Sequence, residues 1–199
     1  MEYKNLIEKL EHLGYKACFI ENVNEANQII AKAISKDERI SFGGSMTVAE
    51  LKLKDYLDQN GYNLFVENDK ISRAEIMKTA MLSDVYILSA NAITKKGEII
   101  NLDGRGNRIG ASAFGPKKVI YVVGINKIVD TLEDGIKRVR NVAAPKNAQR
   151  LKMRTPCAVD GKCHDCNSPD RICCAFQINL KALMGKDTYV FIVNENLGY

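Results

Sequence analysis

The sequence predicts an α/β fold: a layered, mostly parallel sheet with helices on both faces, carrying a C-terminal cysteine-rich loop. Three observations support it. Over the first 140 residues, short apolar runs of strand length alternate with stretches of helical periodicity. Alternation of that kind builds a parallel sheet covered by helices on both sides. After about Leu151 the alternation breaks, and five of the six cysteines crowd into residues 157–174.

Each element follows from its local pattern. Leu6, Ile7, Leu10 and Leu13 recur at helical spacing, and residues 17–20 make a short apolar strand. Residues 24–34 predict a helix, and residues 39–42 a strand ending at Gly43-Gly44. A helix over 47–57 and a strand over 63–66 come next. Ser72 is the expected N-cap of a helix running to Leu82, with Glu75 completing a capping box. Residues 85–88 and 119–123 predict strands, and residues 131–139 a helix. Beyond the cysteines, residues 175–180 and 188–193 predict two strands joined through residues 184–187. Neither an internal repeat nor a low-complexity linker is present, so residues 1–199 form one domain with a cysteine-rich stretch, 152–175, inserted in it.

Composition narrows the class. A chain of 199 residues with 46% hydrophobic and 27% charged residues is globular and long enough for a substantial core. No apolar stretch reaches the roughly 18 residues of a transmembrane helix. The opening MEYKNLIEKLEHLGYK is charged and amphipathic, unlike a secretory signal. A cytoplasmic location, where thiols stay reduced, is therefore expected, with no membrane partner. The net charge is +5, partly from Lys137, Arg138, Arg140, Lys146, Arg150, Lys152 and Arg154. That run is either a solvated helix face or a patch for the phosphate groups of a ligand. No aromatic residues interleave it and no nucleic-acid motif appears, so nucleic acid is not an expected partner.

Parallel sheets bind ligands beyond the carboxyl ends of their strands. That rule points to three loops: residues 43–47, 89–92 and 124–127. In the first, GGSMT, Gly43 and Gly44 let the backbone approach a ligand. Ser45 and Thr47 add hydroxyls beside the free N–H groups of a helix start, which suits an anion or, equally, ordinary helix capping. Residues 89–129 interleave glycines with polar residues. Turns between short strands explain the glycines; the polar residues suggest a ligand. Asp103 and Glu98 are the candidate acid or base, and Arg108 and Lys117 can hold an anion. Asn91, Asn101 and Asn107 would orient a polar ligand. Gly104, Asn126 and Lys127 complete the expected pocket for a small anionic or phosphorylated metabolite.

The cysteines are spaced C-x5-C-x2-C-x6-C-C among the turn formers Pro156, Gly161, Asn167, Ser168, Pro169 and Asp170. In a reducing compartment such thiols serve as ligands rather than disulfides. Only one CxxC is present, unlike a zinc ribbon. The contiguous run is closer to iron–sulfur ligation, although the spacing is not that of a ferredoxin. Four ligands are most economically Cys157, Cys163, Cys166 and Cys173, holding a [4Fe-4S] cluster, with zinc as the alternative. Cys174 either replaces Cys173 or turns inward, and His164 is expected in solvent. Reduced thiols acting as small hydrophobes are the plainer reading. Cys18, in ACFI, reads as a core residue, and His12 as solvent-facing.

These same stretches carry a resemblance. GGSMT, NAITKKGEIINLDGRGNRIGA, FGPKKVIYVVG with NKIV, RVRNVAAPKNAQRL and the cysteine loop with NENLGY together resemble the LUD-domain (lactate utilization) family. The likeness spans nearly the whole chain and is strongest to the short, cysteine-bearing branch. It implies the fold of the ribose-phosphate isomerase and CoA-transferase superfamily. It also implies a role in lactate or related organic-acid metabolism beside iron–sulfur partner proteins. Residues 89–129 further resemble the methylthioribose-phosphate isomerase and initiation-factor-2B-like pattern, whose loops line a sugar-phosphate pocket. Where that pattern has its catalytic aspartate, this chain has Asn91, which exchanges no proton near neutral pH. Asp103 or Glu98 would then take the role. A sugar-phosphate isomerase or CoA-transferase-like enzyme is one alternative, although no clearly placed nucleophilic glutamate is evident. A non-catalytic sensor or assembly subunit of a redox complex is another, and an oligomer is compatible with each.

Overall fold

The computed structural model describes residues 3–65 and 72–199. In chain order its first half contains α1 (Lys4–His12), β1 (Lys16–Ile20), α2 (Ala26–Ala31), β2 (Ile40–Phe42), α3 (Met46–Glu50), α4 (Leu53–Gln59), α5 (Arg73–Thr79) and β3 (Val85–Leu88). Then come β4 (Ala92–Thr94), β5 (Ile99–Asp103), α6 (Asn107–Ala113), β6 (Lys118–Gly124) and β7 (Ile128–Val129). The chain continues with α7 (Leu132–Arg138), α8 (Ala144–Arg150), α9 (Pro156–Asp160), β8 (Ala175–Asn179) and β9 (Asp187–Val193).

A five-stranded sheet in the order β1-β9-β6-β3-β2 forms the centre, and every pairing in it is parallel. Its inner strands β3 and β6 are almost wholly apolar because both faces are buried, whereas the edge strand β1 is partly exposed and starts at Lys16. Alternate side chains divide between two cores, as the two-residue period of a strand requires. Val85, Ile87, Ile120 and Val122 face Ile30, Leu53 and Leu57 of the helices on one side. Tyr86, Leu88, Val119, Tyr121 and Val123 face Leu6 and Leu10 of α1, Ala111 of α6, and Ile93 and Ile99 on the other.

Those last two residues belong to a second, mixed sheet in the order β7-β4-β5-β8. Its far side, with Ala92, Ile100 and Leu102, packs on Val139 and Leu132. The glycine-rich stretch expected to be a run of turns is thus a β4–β5 hairpin, turning at Gly97 with φ +94°, followed by α6. The two predicted C-terminal strands belong to different sheets: β8 pairs with β5, and β9 with β1 and β6.

Other departures have local causes. The helix expected over 47–57 breaks at Lys52, which is left-handed at φ +52°. The break lets Val48, Leu51, Leu53 and Leu57 all enter one core, which a continuous helix could not achieve at that spacing. The helix expected over 131–139 runs on through a π turn at Val139–Ala143 into α8. Pro145 follows that turn and has no N–H for a regular ladder. Ser72 and Glu75 form the expected capping box. Of the strand predicted over 63–66, Leu64 makes one parallel bridge to Ile40, and Val66 lies outside the described residues. Among the described residues no helix is long and apolar enough to cross a membrane.

Candidate functional site

Strands β2, β3 and β6 are neighbours and parallel, so their carboxyl ends open at one edge, and the three loops named from the sequence meet there. They line two adjoining chambers. The smaller, about 50 Å³, is walled by Gly44, Ser45, Ser89, Asn91, Lys127 and Tyr199 among others. The larger, about 360 Å³, is reached by Gly43, Tyr86, Asp103, Gly104, Asn107 and Lys54. Gly44, Arg108, Asn147, Arg150 and Ile172 line both.

The loop 43–47 fits tightly between its neighbours. A Cβ at Gly43 would sit 2.8 Å from the Tyr86 hydroxyl, so only glycine leaves that ring its place. The Ser45 hydroxyl accepts from the Val48 N–H at 3.2 Å and caps α3. Thr47 turns inward and is fully buried.

Lys127 is the most unusual group. It is 3% exposed, and its Nζ donates to Thr47 Oγ1 at 2.6 Å and to Ser89 Oγ at 3.0 Å. Burial, with Arg138 nearby, pushes its ammonium down to about 7, against a smaller opposing pull from Glu50. Arg138 ties the second and third loops together: Nη1 donates to the Asn91 carbonyl at 2.6 Å and Nε to the Asn126 carbonyl at 3.1 Å. Its own burial lowers its pKa.

Asp103, at the end of β5, is 4% exposed. Its Oδ2 accepts from the N–H groups of Arg108 at 2.8 Å and Ile109 at 3.3 Å, holding the first turn of α6. Its Oδ1 lies 3.7 Å from the Arg108 guanidinium, which also donates to the Leu102 carbonyl at 2.6 Å. Asn91 and Asn101 lock hairpin to loop: Asn91 N–H donates to Asn101 Oδ1, and Leu102 N–H donates to Asn91 Oδ1 at 2.9 Å. Asn126 pins the segment after β9, accepting from Leu197 N–H at 3.2 Å and donating to the Gly198 carbonyl at 3.3 Å.

Thr47, Asn101 and Asn126 brace the crevice without lining either chamber, and two further candidates stand away from it. Glu98 accepts from the Thr94 hydroxyl at the hairpin turn and lines neither chamber. Lys117 is exposed just before β6, at the amino end of the sheet, where its carbonyl accepts from Asp187 N–H. Conversely, Tyr86, Asn147, Ile172 and Tyr199 join the site without having been named as site residues, and Ser89 joins it from the predicted loop 89–92. Arg150 donates to the Tyr199 hydroxyl at 2.7 Å, and that hydroxyl donates to Asn147 Oδ1 at 3.0 Å, closing one side of the smaller chamber. Arg138 and the exposed Arg150 came from the basic run; of its remaining members Arg140 is half-buried and Lys137, Lys146, Lys152 and Arg154 are exposed.

The cysteine segment abuts this site. Cys174 N–H donates to the Asp103 carbonyl at 3.0 Å. Ile172 presses its backbone on Gly104, where an added Cβ would come within 3.0 Å of Ile172 Cα. The thiols themselves are separate. Cys157 sits on α9 beside the Thr155 hydroxyl at 3.3 Å, and Cys173 lies 3.4 Å from the Arg171 guanidinium. That guanidinium also donates to the Cys166 and Cys173 carbonyls. Cys163 and His164 flank the Arg140–Asp165 ion pair, and His164 is bonded to Asp160 at 2.8 Å. Among the described residues no group of three or more His, Cys, Asp or Glu side chains is arranged to hold a metal ion. As they stand, Cys157, Cys163, Cys166 and Cys173 do not form a ligand set.

What the crevice can do follows from its charges. Lys54, Arg105, Arg108, Lys127 and Arg150 line the two chambers against one carboxylate, Asp103, which Arg108 already faces. Such a site favours an anion.

The fold has a solved counterpart. A DUF162 family protein from Deinococcus radiodurans superposes with a TM-score of 0.54 at 18% identity, covering 95% of this chain and 93% of that one. The eIF2B beta of Chaetomium thermophilum matches with a TM-score of 0.35 at 15% identity, over 65% of this chain and 43% of that one. No curated protein matches the sequence. The family model of the LUD domain, however, matches residues 3–193, so that sheet, hairpin and cysteine segment all fall inside it and the chain belongs to the LUD-domain family.

Proposed function

We propose that this LUD-domain protein binds a small anionic or phosphorylated metabolite in the two-chambered crevice and serves lactate or related organic-acid utilization. The observation behind this reading is the set of five basic side chains around one neutralised carboxylate. Guanidinium groups hold carboxylate or phosphate oxygens in fixed bidentate geometry, and the half-buried Arg108 and the exposed Arg150 reach both chambers. Calorimetry with inorganic phosphate, lactate, pyruvate, ribose 5-phosphate and coenzyme A tests it. Binding of at least one anion, weakened by added salt and by Arg108→Ala, is expected. Indifference to every anion overturns the reading.

A sugar-phosphate isomerase is a second reading, favoured by Lys127 and Asp103 sharing the crevice. Glu98, away from the chambers, takes no part in it. CoA transfer has less support, since no glutamate lines either chamber among the described residues. The cysteine centre stays a separate proposal, a [4Fe-4S] cluster or zinc on Cys157, Cys163, Cys166 and Cys173 beside iron–sulfur partner proteins. The density of thiols in one segment supports it, and forming it requires residues 157–174 to rearrange. No step of the proposed binding runs through it.

A further inference from the structure

A buried lysine ordinarily faces a carboxylate that keeps it charged. Lys127 instead faces two hydroxyls, those of Thr47 and Ser89. Both have committed their own protons: Thr47 to the Leu197 carbonyl at 3.1 Å, Ser89 to the Ala90 carbonyl at 3.2 Å. Each therefore presents lone pairs to the amine. A neutral amine has two N–H bonds and one lone pair. The hydroxyls take up the two N–H bonds, and the lone pair is left for the small chamber that Lys127 lines.

The surroundings also favour the neutral amine. Burial, together with the charges of Arg138 and Arg108, brings its pKa to about 7. At pH 7 about half of such an amine is neutral, against less than about 0.1% of an ordinary lysine. A lysine activated by desolvation and neighbouring cations is a nucleophile toward carbonyl groups. The small chamber, about 50 Å³, has room for a carbonyl carbon and its nearest substituents. Arg108 and Arg150 lie between it and the larger chamber, where an anionic tail would be held.

We propose that the Lys127 amine adds to the carbonyl carbon of a small oxo anion and forms an imine with it. The Nζ lone pair makes the C–N bond while the C=O π pair moves to oxygen, which takes up one proton as nitrogen gives one up. That oxygen takes a second proton and leaves as water with the C–O pair, while the nitrogen lone pair forms C=N and nitrogen gives up its second proton. Amine and carbonyl thus give imine and water, with no oxidant or reductant. This deepens the anion-binding reading by naming the chemistry of the ligand, and it rests on that reading.

Reductive trapping tests it. The full chain is incubated with pyruvate, or in a second arm with ribose 5-phosphate, in the presence of cyanoborohydride, and its peptides are analysed by mass spectrometry. The expected result is an adduct on Lys127 forming about tenfold or more faster than on any exposed lysine at pH 7, suppressed by inorganic phosphate. The arm that labels distinguishes a 2-oxo acid from a phosphorylated sugar. The Lys127→Arg variant should lose the adduct, and phosphate competition in the native chain keeps the test valid if that variant folds poorly. No preferential labelling of Lys127 in either arm overturns the imine. Calorimetry with the same probes separates the two ideas: binding without labelling removes the imine alone, whereas absence of binding counts against the anion site itself.

Discussion

Lys127 Nζ donates to Thr47 Oγ1 over 2.6 Å, and that hydroxyl in turn donates to the Leu197 carbonyl at 3.1 Å. One short chain of bonds thereby joins the loops after β2 and β6 to the segment after β9. Gly198, at φ +62°, is held so close that an added Cβ would lie 2.8 Å from the same Thr47 oxygen.

Lys127 should make stability depend on pH. The unfolded chain keeps this proton up to about pH 10.4, whereas the folded protein releases it near 7. Between those values the unfolded state binds more protons, so stability rises with pH. The slope approaches about 1.4 kcal/mol per pH unit, or roughly 3–6 °C in Tm for a chain of this size. Lys127→Met lacks the contribution. Thermal melts of the two proteins between pH 7 and 9 should therefore show the native chain gaining on the variant; a constant difference would rule the shifted amine out.

Asp103 is predicted to act first as an anchor. Its carboxylate accepts two N–H groups at the start of α6 and faces Arg108 while buried. Asp103→Asn removes the charge that strengthens those bonds and should cost about 1–3 kcal/mol in urea unfolding. Unchanged stability would mean that the carboxylate is there for proton transfer alone.

Gly104 couples the cysteine segment to the crevice. In Gly104→Ala the new methyl meets the Ile172 backbone at 3.0 to 3.3 Å, and backbone cannot swing aside as a side chain can. Overpacking of this kind costs about 1–3 kcal/mol. Cys173 and Cys174 follow Ile172 directly and should react faster with a disulfide reagent such as dithiobis(nitrobenzoate), while anion binding weakens. Unaltered thiol rates would disprove the coupling.

The cysteine proposal makes a structural prediction. Protein purified without oxygen should contain iron and sulfide, or zinc, and loading should change protease cleavage at Lys162 and Arg171, because the thiols must converge. Metal-free, fully folded protein under those conditions would end the proposal.

Much of this was legible in the chain. Apolar runs marked β1, β2, β3, β6 and β9, most plainly β3 and β6, because strands buried on both faces must be apolar whatever surrounds them. The rule that ligands lie beyond parallel strand ends then picked out the three loops that meet in the crevice. The hairpin was missed because β4 has three residues and β5 is buried on both sides, leaving no alternation to read. Glu98 and Asp103 look alike in sequence, yet five residues of strand, about 17 Å, separate the turn from the crevice.

By itself the sequence determined the layered α/β class, the order of the parallel strands along the chain, and the stretches that carry glycine, asparagine and cysteine. Only the tertiary structure decided which of those residues share a cavity. It buried Lys127 against Thr47 and Ser89 with Arg138 and Arg108 nearby, and so lowered the pKa of that amine. The reason is that burial and neighbours fix a pKa, and both come from segments distant in the chain.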